Sequence, residues 1–187
     1  TVTPPLEGVW TWTSDKEITF APKQDWEVSK EYQVKFEEDF FASQVLLKTY
    51  SFAIKTPDFI VSKEKAEFYE DPTDPKIKKG IIELSFTHPV DKSSLEKRIS
   101  VVQITTVDAE NKRKEKKSLQ FKVVYDELGG KAWIHSEPVS IPADPTEIVI
   151  TVDSGVQSSR GGNGSKGEIK SEISVPTMDK YFRIESI

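Results

Sequence analysis

The segment from Ala66 to Asp91 constrains the fold of this chain more than any other. It contains two runs of β-forming residues on either side of two Asp-Pro steps, which occupy positions 71–75. Proline fixes φ and removes a backbone donor, so these steps predict a turn between two strands. In the second run Ile82, Leu84 and Phe86 recur at alternate positions, which predicts that all three lie on one face of a sheet.

The rest of the chain repeats this pattern of short alternating runs separated by turn residues. Further strands are predicted at 9–13, 17–20, 31–36, 50–55, 100–106, 119–125, 132–135, 147–152 and 168–175. A short helix is predicted from Ser93 to Ile99, with Ser93 as its N-cap. Residues 40–47 fit either a helical turn or a loop, and residues 181–187 fit a further strand. The sequence therefore predicts an all-β fold of tandem antiparallel β-sandwich domains, of the immunoglobulin-like kind.

The Thr56-Pro57-Asp58 step predicts a domain boundary, because a proline suits the exit of a strand into a linker. We expect a small β-sandwich domain at residues 1–57, with few strands for a complete sandwich, and a larger one at 58–187. A Gly- and Ser-rich stretch at 154–167 has almost no apolar residues and is predicted to be a mobile loop of the larger domain. The abrupt start at Thr1, without a signal peptide, predicts the interior of a longer protein.

The charge and composition of the chain argue against several kinds of function. The 187 residues carry a net charge of −5, and the one dense basic run, at 112–117, is predicted to form the tip of a hairpin. Nucleic acid is therefore not an expected partner. The absence of cysteine excludes disulfides, zinc-thiolate sites, thiol nucleophiles and a thioester made by this chain. No apolar run reaches the roughly 18 residues that a membrane-spanning helix needs.

The residues that most often carry catalysis or bind metal ions are sparse and poorly spaced. His88 and His135 are the only histidines, and neither has a second ligand at the spacing of a zinc or iron site. Asp71 and Asp74 could offer oxygens to a calcium ion, but the prolines after them favour a role in the turn. No Gly-x-Ser-x-Gly elbow is present. We predict that the chain has no catalytic residues, no cofactor site and no metal site, and that it is not an enzyme.

Two other patterns suggest ligands without establishing them. The run RGGNGSKG at 160–167 is superficially similar to a phosphate-binding loop, but serine rather than glycine precedes Lys166 and no helix is predicted to follow. Trp10 and Trp12 are two residues apart on one predicted strand, close in sequence to Trp26. Such a pair forms either the core of a small sandwich, which we favour, or a platform for a carbohydrate. A cell-surface adhesion or carbohydrate-binding module is therefore the alternative function.

Several segments of the chain resemble one known family, the bacterial α2-macroglobulins. The runs GVWTWTSDKEITFAPKQDW at 8–26 and EYQVKF at 31–36 are similar to the stretch before the first macroglobulin-like domains of that family. The run at 66–99 resembles the family more closely, with an Ala-Glu-Phe-Tyr strand, an Asp-Pro turn, a Ser-Phe-x-His-Pro-Val-Asp corner and a Leu-Glu-Lys-Arg segment. The loop SSRGGNG and the exit ISVP also fit. The fold that the resemblance implies is a series of macroglobulin-like β-sandwich domains.

The resemblance also implies a function. Members of the family are large periplasmic proteins, usually lipid-anchored, that trap proteases. A protease cuts an exposed bait segment, the domains rearrange, and in many members a Cys-Glu thioester couples to the protease. This chain has no cysteine for a thioester, and we find no bait segment in it. The resemblance therefore implies a scaffold module of the cell envelope whose partners are other domains of the same parent chain. Target proteases and the membrane would be contacted through other parts of that parent protein.

Overall fold

A computed structural model describes residues 1–37, 40–42, 48–108, 110 and 113–181 of the chain. The sequence predictions that concern residues 43–47 and 182–187 lie outside these described residues. The chain forms two compact units. The first unit consists of Thr1–Phe59 together with Arg160–Asn163, and the second unit begins at Ile60 and contains the other described residues.

The described part of the first unit contains five strands. They are β1 (Val2–Thr3), β2 (Gly8–Ser14), β3 (Glu17–Pro22), β4 (Glu31–Lys35) and β5 (Ser51–Lys55). In a three-stranded antiparallel sheet β4 lies between β1 and β5, while β2 and β3 form an antiparallel hairpin. The four strands predicted for this part of the sequence are confirmed. The two-residue strand β1 has no predicted counterpart, because two residues are too few to show a period.

Aromatic side chains fill much of the interior of the first unit. Alternation along β4 buries Tyr32 and Val34, which are each 1% exposed. The Trp26 ring meets the Tyr32 ring edge-on, with centroids 4.8 Å apart. Beyond β5, the Thr56 hydroxyl donates a hydrogen bond to the Glu27 carbonyl oxygen at 2.7 Å. The exit of β5 is thereby tied to the segment that leads into β4.

The described part of the second unit contains eight strands and two short helices. They are β6 (Val61–Glu70), β7 (Lys78–Phe86), α1 (Lys92–Glu96), β8 (Ile99–Asp108), β9 (Arg113–Ser118), β10 (Phe121–Tyr125), β11 (Lys131–Ser136), β12 (Thr146–Val152), β13 (Ile169–Val175) and α2 (Met178–Tyr181). Two antiparallel four-stranded sheets form, in the orders β10-β11-β7-β6 and β13-β12-β8-β9. None of the described helices is long and apolar enough to cross a membrane.

The two sheets of the second unit pack face to face as a β-sandwich, which confirms the predicted fold class. Ile82 and Leu84, which the alternation along β7 predicted to face the core, are fully buried. A side chain at Gly80 would meet Ile148 of the opposite sheet at 3.2 Å, so the sheets approach each other closely there. Phe86, the third member of the predicted stripe, is only half-buried, because it lies at the end of β7.

The basic run forms an edge strand rather than the tip of a hairpin. Residues 113–118 are β9, which pairs with β8 and is exposed along its whole length. The prediction joined β8 directly to the strand at 119–125, whereas β10 belongs to the other sheet. An alternating pattern cannot reveal β9, because the strand carries no apolar face. Lys112, at the start of the run, lies outside the described residues.

The short helix exists as predicted, but its N-cap is Asp91 and not Ser93. The Asp91 carboxylate accepts a hydrogen bond from the Ser94 backbone N–H at 2.8 Å. Ser93 therefore lies inside α1. The prediction chose Ser93 because Glu96 follows it at capping-box spacing. An aspartate carboxylate satisfies the first N–H groups of a helix at least as well and also complements the helix dipole.

The Gly- and Ser-rich stretch at 154–167 is a loop, as predicted, and buried side chains and backbone hydrogen bonds hold it at several points. Val156 is completely buried and Ser158 is 3% exposed. The Gly155 N–H donates to the Ser165 carbonyl, and the Ser165 N–H donates back to the Val156 carbonyl, both at 2.8 Å. The polar composition of the stretch gave no sign of these contacts. A single valine that enters the core is enough to hold a loop in place.

We expect this loop to resist limited proteolysis. Trypsin should cut slowly after Arg160 and Lys166, because a protease must first release the segment from its hydrogen bonds. Timed digests analysed by mass spectrometry measure the order of cleavage, with the exposed strand β9 as an internal reference. Cuts at the two loop positions that precede those in β9 would instead confirm the sequence prediction of a mobile loop.

Candidate functional site

The two histidines occupy unrelated positions in the second unit. His88 follows β7, and its Nδ1 lies 3.2 Å from the Thr87 hydroxyl. His135 lies within β11, opposite Lys122 of β10 and Ile81 of β7. Among the described residues, no group of three His, Cys, Asp or Glu side chains could hold a metal ion. The structure therefore does not bring either histidine into a recognisable metal or hydrolytic centre.

Asp71 and Asp74 shape the turn between β6 and β7. The Asp71 carboxylate accepts hydrogen bonds from the Thr73 hydroxyl at 2.6 Å and from the Thr73 N–H at 2.8 Å. These bonds, the one from the hydroxyl foremost, lower the pKa of Asp71. The Asp74 carboxylate accepts from the Lys76 N–H at 3.0 Å. Both carboxylates accept hydrogen bonds within their own turn, as the turn interpretation predicted.

The tryptophans of the hairpin divide between core and surface. The Trp10 ring is half-buried against Phe20 and Phe36, at centroid distances of 4.8 and 5.1 Å. Trp12 is 50% exposed and touches the Phe41 ring at 5.9 Å. A carbohydrate platform needs adjacent exposed rings, whereas the Trp10 ring is half-buried by its neighbours. The core interpretation therefore fits Trp10, while Trp12 lies at the surface of the same aromatic cluster.

The RGGNGSKG stretch contributes a close backbone contact and not a phosphate loop. Gly162 forms an isolated parallel bridge with Val28, and its φ is +90°. A Cβ at this position would lie 1.8 Å from the Val28 carbonyl oxygen, so only glycine fits. The Asn163 side-chain amide donates to the Ser29 carbonyl at 2.7 Å beside it. The strand β13, not a helix, follows the stretch, so no helix N-terminus is present to bind a phosphate.

A groove of about 500 Å³ lies on the outer face of the sheet formed by β7, β10 and β11. Its lining combines apolar, neutral polar and charged side chains, which include Lys79, Gln120, Lys122, Val124, His135 and Glu137. The register places Lys122 opposite His135, and alternation puts the neighbouring members on the same face. Sequence analysis missed this groove, because its residues come from three strands that only the sheet register brings together.

The pKa of His135, which lines the groove, is lower than the ordinary value for a histidine. Burial lowers the pKa of His135 below the usual value of 6.5, and the positive charges of Lys79 and Lys122 lower it further. The Nδ1 atom of His135 is buried and has no hydrogen-bond partner among the described residues. A proton on this ring is therefore less favourable in the folded chain than in the unfolded one.

We expect His135 to make the folded chain less stable as the pH falls below about 6.5. The unfolded chain binds this proton near pH 6.5, whereas the folded chain binds it only at a lower pH, so protonation favours unfolding in that interval. His135→Gln should flatten the dependence of unfolding free energy on pH there. Urea denaturation across a pH series measures both slopes, and identical slopes for the variant and the native chain would contradict the expectation.

The fold defines a class of protein, one built from antiparallel β-sandwich units. Comparison with curated proteins narrows the class. Over 178 residues, 95% of its length, the chain is 33% identical to the α2-macroglobulin homologue of Yersinia pestis. It is 31% identical over 180 residues to the α2-macroglobulin of Pasteurella multocida and 20% identical over 199 residues to that of Rickettsia conorii, which cover 94% and 98% of the chain. The chain belongs to the bacterial α2-macroglobulin family, as the sequence resemblance indicated.

The matched region is a small part of these relatives. The chain spans 9% of the Yersinia and Pasteurella proteins and 10% of the Rickettsia protein. No protein-family model matches the chain. Among solved structures, the chain is similar to the N-terminal part of the bacterial S-layer protein SbsC, with a TM-score of 0.37 and 18% identity over 63% of this chain and 24% of that one. A likeness at this level carries no weight for fold or function.

Proposed function

We propose that the chain is a structural scaffold module of a bacterial α2-macroglobulin-like protease-trapping inhibitor, without catalytic residues of its own. The observation that supports this most directly is the match to bacterial α2-macroglobulins along 95% of the chain. Because the chain spans about a tenth of those relatives, we assign the trapping of proteases to other parts of the parent protein.

A scaffold module must keep its shape while neighbouring domains rearrange, and the second unit is built in a way that suits this role. Ile82 and Ile134 of one sheet and Ile148 and Ile150 of the other are completely buried. Each such side chain contributes about 1.5–3 kcal/mol to folding by leaving water. A core packed at the density of protein interiors deforms little and transmits strain to its surroundings.

The partners and location of the module follow from the same proposal. Its partners are other domains of the same parent chain, and target proteases are contacted through parts outside it. The parent protein lies in the periplasm or cell envelope and reaches the membrane only through a lipid anchor. Nucleic acid is not a partner, because the net charge is −5 and the basic residues of β9 are spread along an extended strand.

The proposal is tested by assaying trypsin and elastase with increasing amounts of the purified chain. We expect no inhibition, because the chain has neither a cysteine for a thioester nor a recognised bait segment. Robust inhibition of either protease by this chain alone would overturn the scaffold role. A glycan array provides the second arm: binding that is lost in Trp12→Ala would support a carbohydrate-binding module instead.

A further inference from the structure

In the described part of the second unit the two sheets have four edge strands, and three of them are protected against pairing with another chain. β9 carries charged side chains and is exposed throughout. β6 has a bulge between Lys63 and Lys65. On β13, Lys170 and Glu172 form an ion pair of 2.7 Å on the exposed face. Charges and bulges of this kind are how natural sheets avoid joining edge to edge.

The fourth edge strand, β10, lacks this protection by charged side chains or a bulge. Its five residues, Phe-Lys-Val-Val-Tyr, include one charge and no proline, and its register with β11 has no bulge. Val124 is 42% exposed on it. Among the described strands, β10 pairs with β11 and with no other. An apolar and unprotected edge is a template for an additional strand.

The hydrogen-bond pattern identifies the backbone groups that face this open edge. The Glu137 N–H donates to the Gln120 carbonyl at 2.7 Å, and these two residues lie opposite each other in the β10–β11 register. Bonded pairs alternate in an antiparallel ladder, so Lys122 also bonds to β11. The N–H and C=O groups of Phe121 and Val123 therefore point away from β11, towards the open edge.

The open stretch is short, because contacts with other elements flank it: a backbone bond at one end and a side-chain bond at the other. At one end the Leu119 N–H donates to the Val101 carbonyl at 2.9 Å. At the other end the Tyr125 hydroxyl donates to the Glu96 carboxylate at 3.0 Å. The backbone groups at 121–123 remain available between them, which is enough for a short added strand and too little for an extended new sheet.

The side chains beside this edge carry a surplus of positive charge. Lys122 has no carboxylate partner among the described residues, and the Lys79 amine lies over the Tyr69 ring at 5.4 Å. Glu137, the acidic residue of the groove, lies 3.8 Å from Lys117. The groove is thus basic on a chain whose net charge is −5, which favours an acidic ligand.

We propose that β10 binds an extended acidic peptide segment, which joins the sheet as a further strand. The peptide backbone bonds to Phe121 and Val123, and strand pairing places one of its carboxylates opposite Lys122. An apolar side chain two residues away lies opposite Val124, beside the groove. A second copy of this chain fits less well, because it would bring two Lys122 side chains to the same small surface. This inference does not rest on the proposed scaffold role.

The test uses two acetylated heptapeptides of threonine and valine, one with glutamate and one with lysine at the centre. Each is titrated into the isotope-labelled chain, and amide hydrogen exchange is followed by NMR. The glutamate peptide should slow exchange at Phe121 and Val123 and leave Lys122 unchanged, because that amide is already bonded to β11. The lysine peptide should bind about two- to fivefold more weakly, as expected for a cross-strand charge pair.

A charge reversal provides the matched control. Lys122→Glu should reverse the preference between the two peptides, whereas Lys114→Glu on β9 should leave it unchanged. Unaltered exchange at Phe121 and Val123 in millimolar glutamate peptide would overturn the proposal, as would equal binding of both peptides. Sedimentation that shows the chain pairing with itself through β10 would also overturn it. If Lys122→Glu fails to fold, the two peptides still decide the question with the unchanged chain.

Discussion

Gly162→Ala should destabilise the first unit by more than the roughly 1–3 kcal/mol that backbone strain alone costs. The φ of Gly162 is +90°, and a Cβ there would lie 1.8 Å from the Val28 carbonyl oxygen. The neighbouring backbone cannot move away easily, because the Ser29 N–H donates to the Pro57 carbonyl at 2.8 Å. Thermal and urea denaturation followed by tryptophan fluorescence measure the loss, since Trp10 and two other tryptophans lie in this unit.

Gly167→Ala is the matched control in the same Gly-rich stretch. A Cβ at Gly167 would meet no atom within 4 Å. We expect a change within about 0.5 kcal/mol, as for an exposed position without special geometry. If the two alanine variants were equally stable, the close approach of Gly162 to Val28 would have to be wrong. Gly162→Ala should also cause faster tryptic cleavage after Arg160, since it disrupts the contact next to that bond.

Leu84→Ala should cost the second unit about 2–5 kcal/mol, because the side chain is fully buried and its removal leaves a cavity between the two sheets. Leu84 lies on β7, an inner strand of its sheet, so the surrounding backbone has little freedom to collapse into the space. Phe86→Ala should cost less than a fully buried phenylalanine would, because that ring is half-buried. Denaturation with urea measures both changes.

Leu128→Ala is the control for the Leu84 variant. The same atoms are removed, but Leu128 is 81% exposed in the turn between β10 and β11. The free energy of unfolding should change by no more than about 0.5 kcal/mol. A loss at Leu128 that matches the loss at Leu84 would mean that the register of β7 or the packing of the sandwich is wrong.

Much of the strand pattern was predictable from local sequence. Alternation located the hairpin around residues 14–16, and it assigned Ile82 and Leu84 to the core side of β7. The Asp-Pro steps predicted the turn between β6 and β7, because the turn depends on residues that are adjacent in the chain. The prediction failed for β9, which shows no apolar face, and the composition of the 154–167 loop gave no sign that Val156 is buried.

The candidate surface and its edge were not predictable. Lys122 and His135 become neighbours through the register of β10 and β11, and Lys79 joins them from β7. The open edge at 121–123 depends on the fact that β9 pairs with β8 and leaves β10 at the edge of the other sheet. The local sequence of a strand does not determine its pairing partner in the sheet.

The sequence by itself determined the strand-forming segments, the turns, the absence of thiol chemistry and the family to which the chain belongs. Each of these depends on residues within a few positions of one another, or on matching a run of residues to relatives. The tertiary structure alone decided which strands became edges, which histidine entered a groove, and why Gly162 must be glycine. Those features arise where distant segments meet, and their energies depend on distances that the order of residues does not specify.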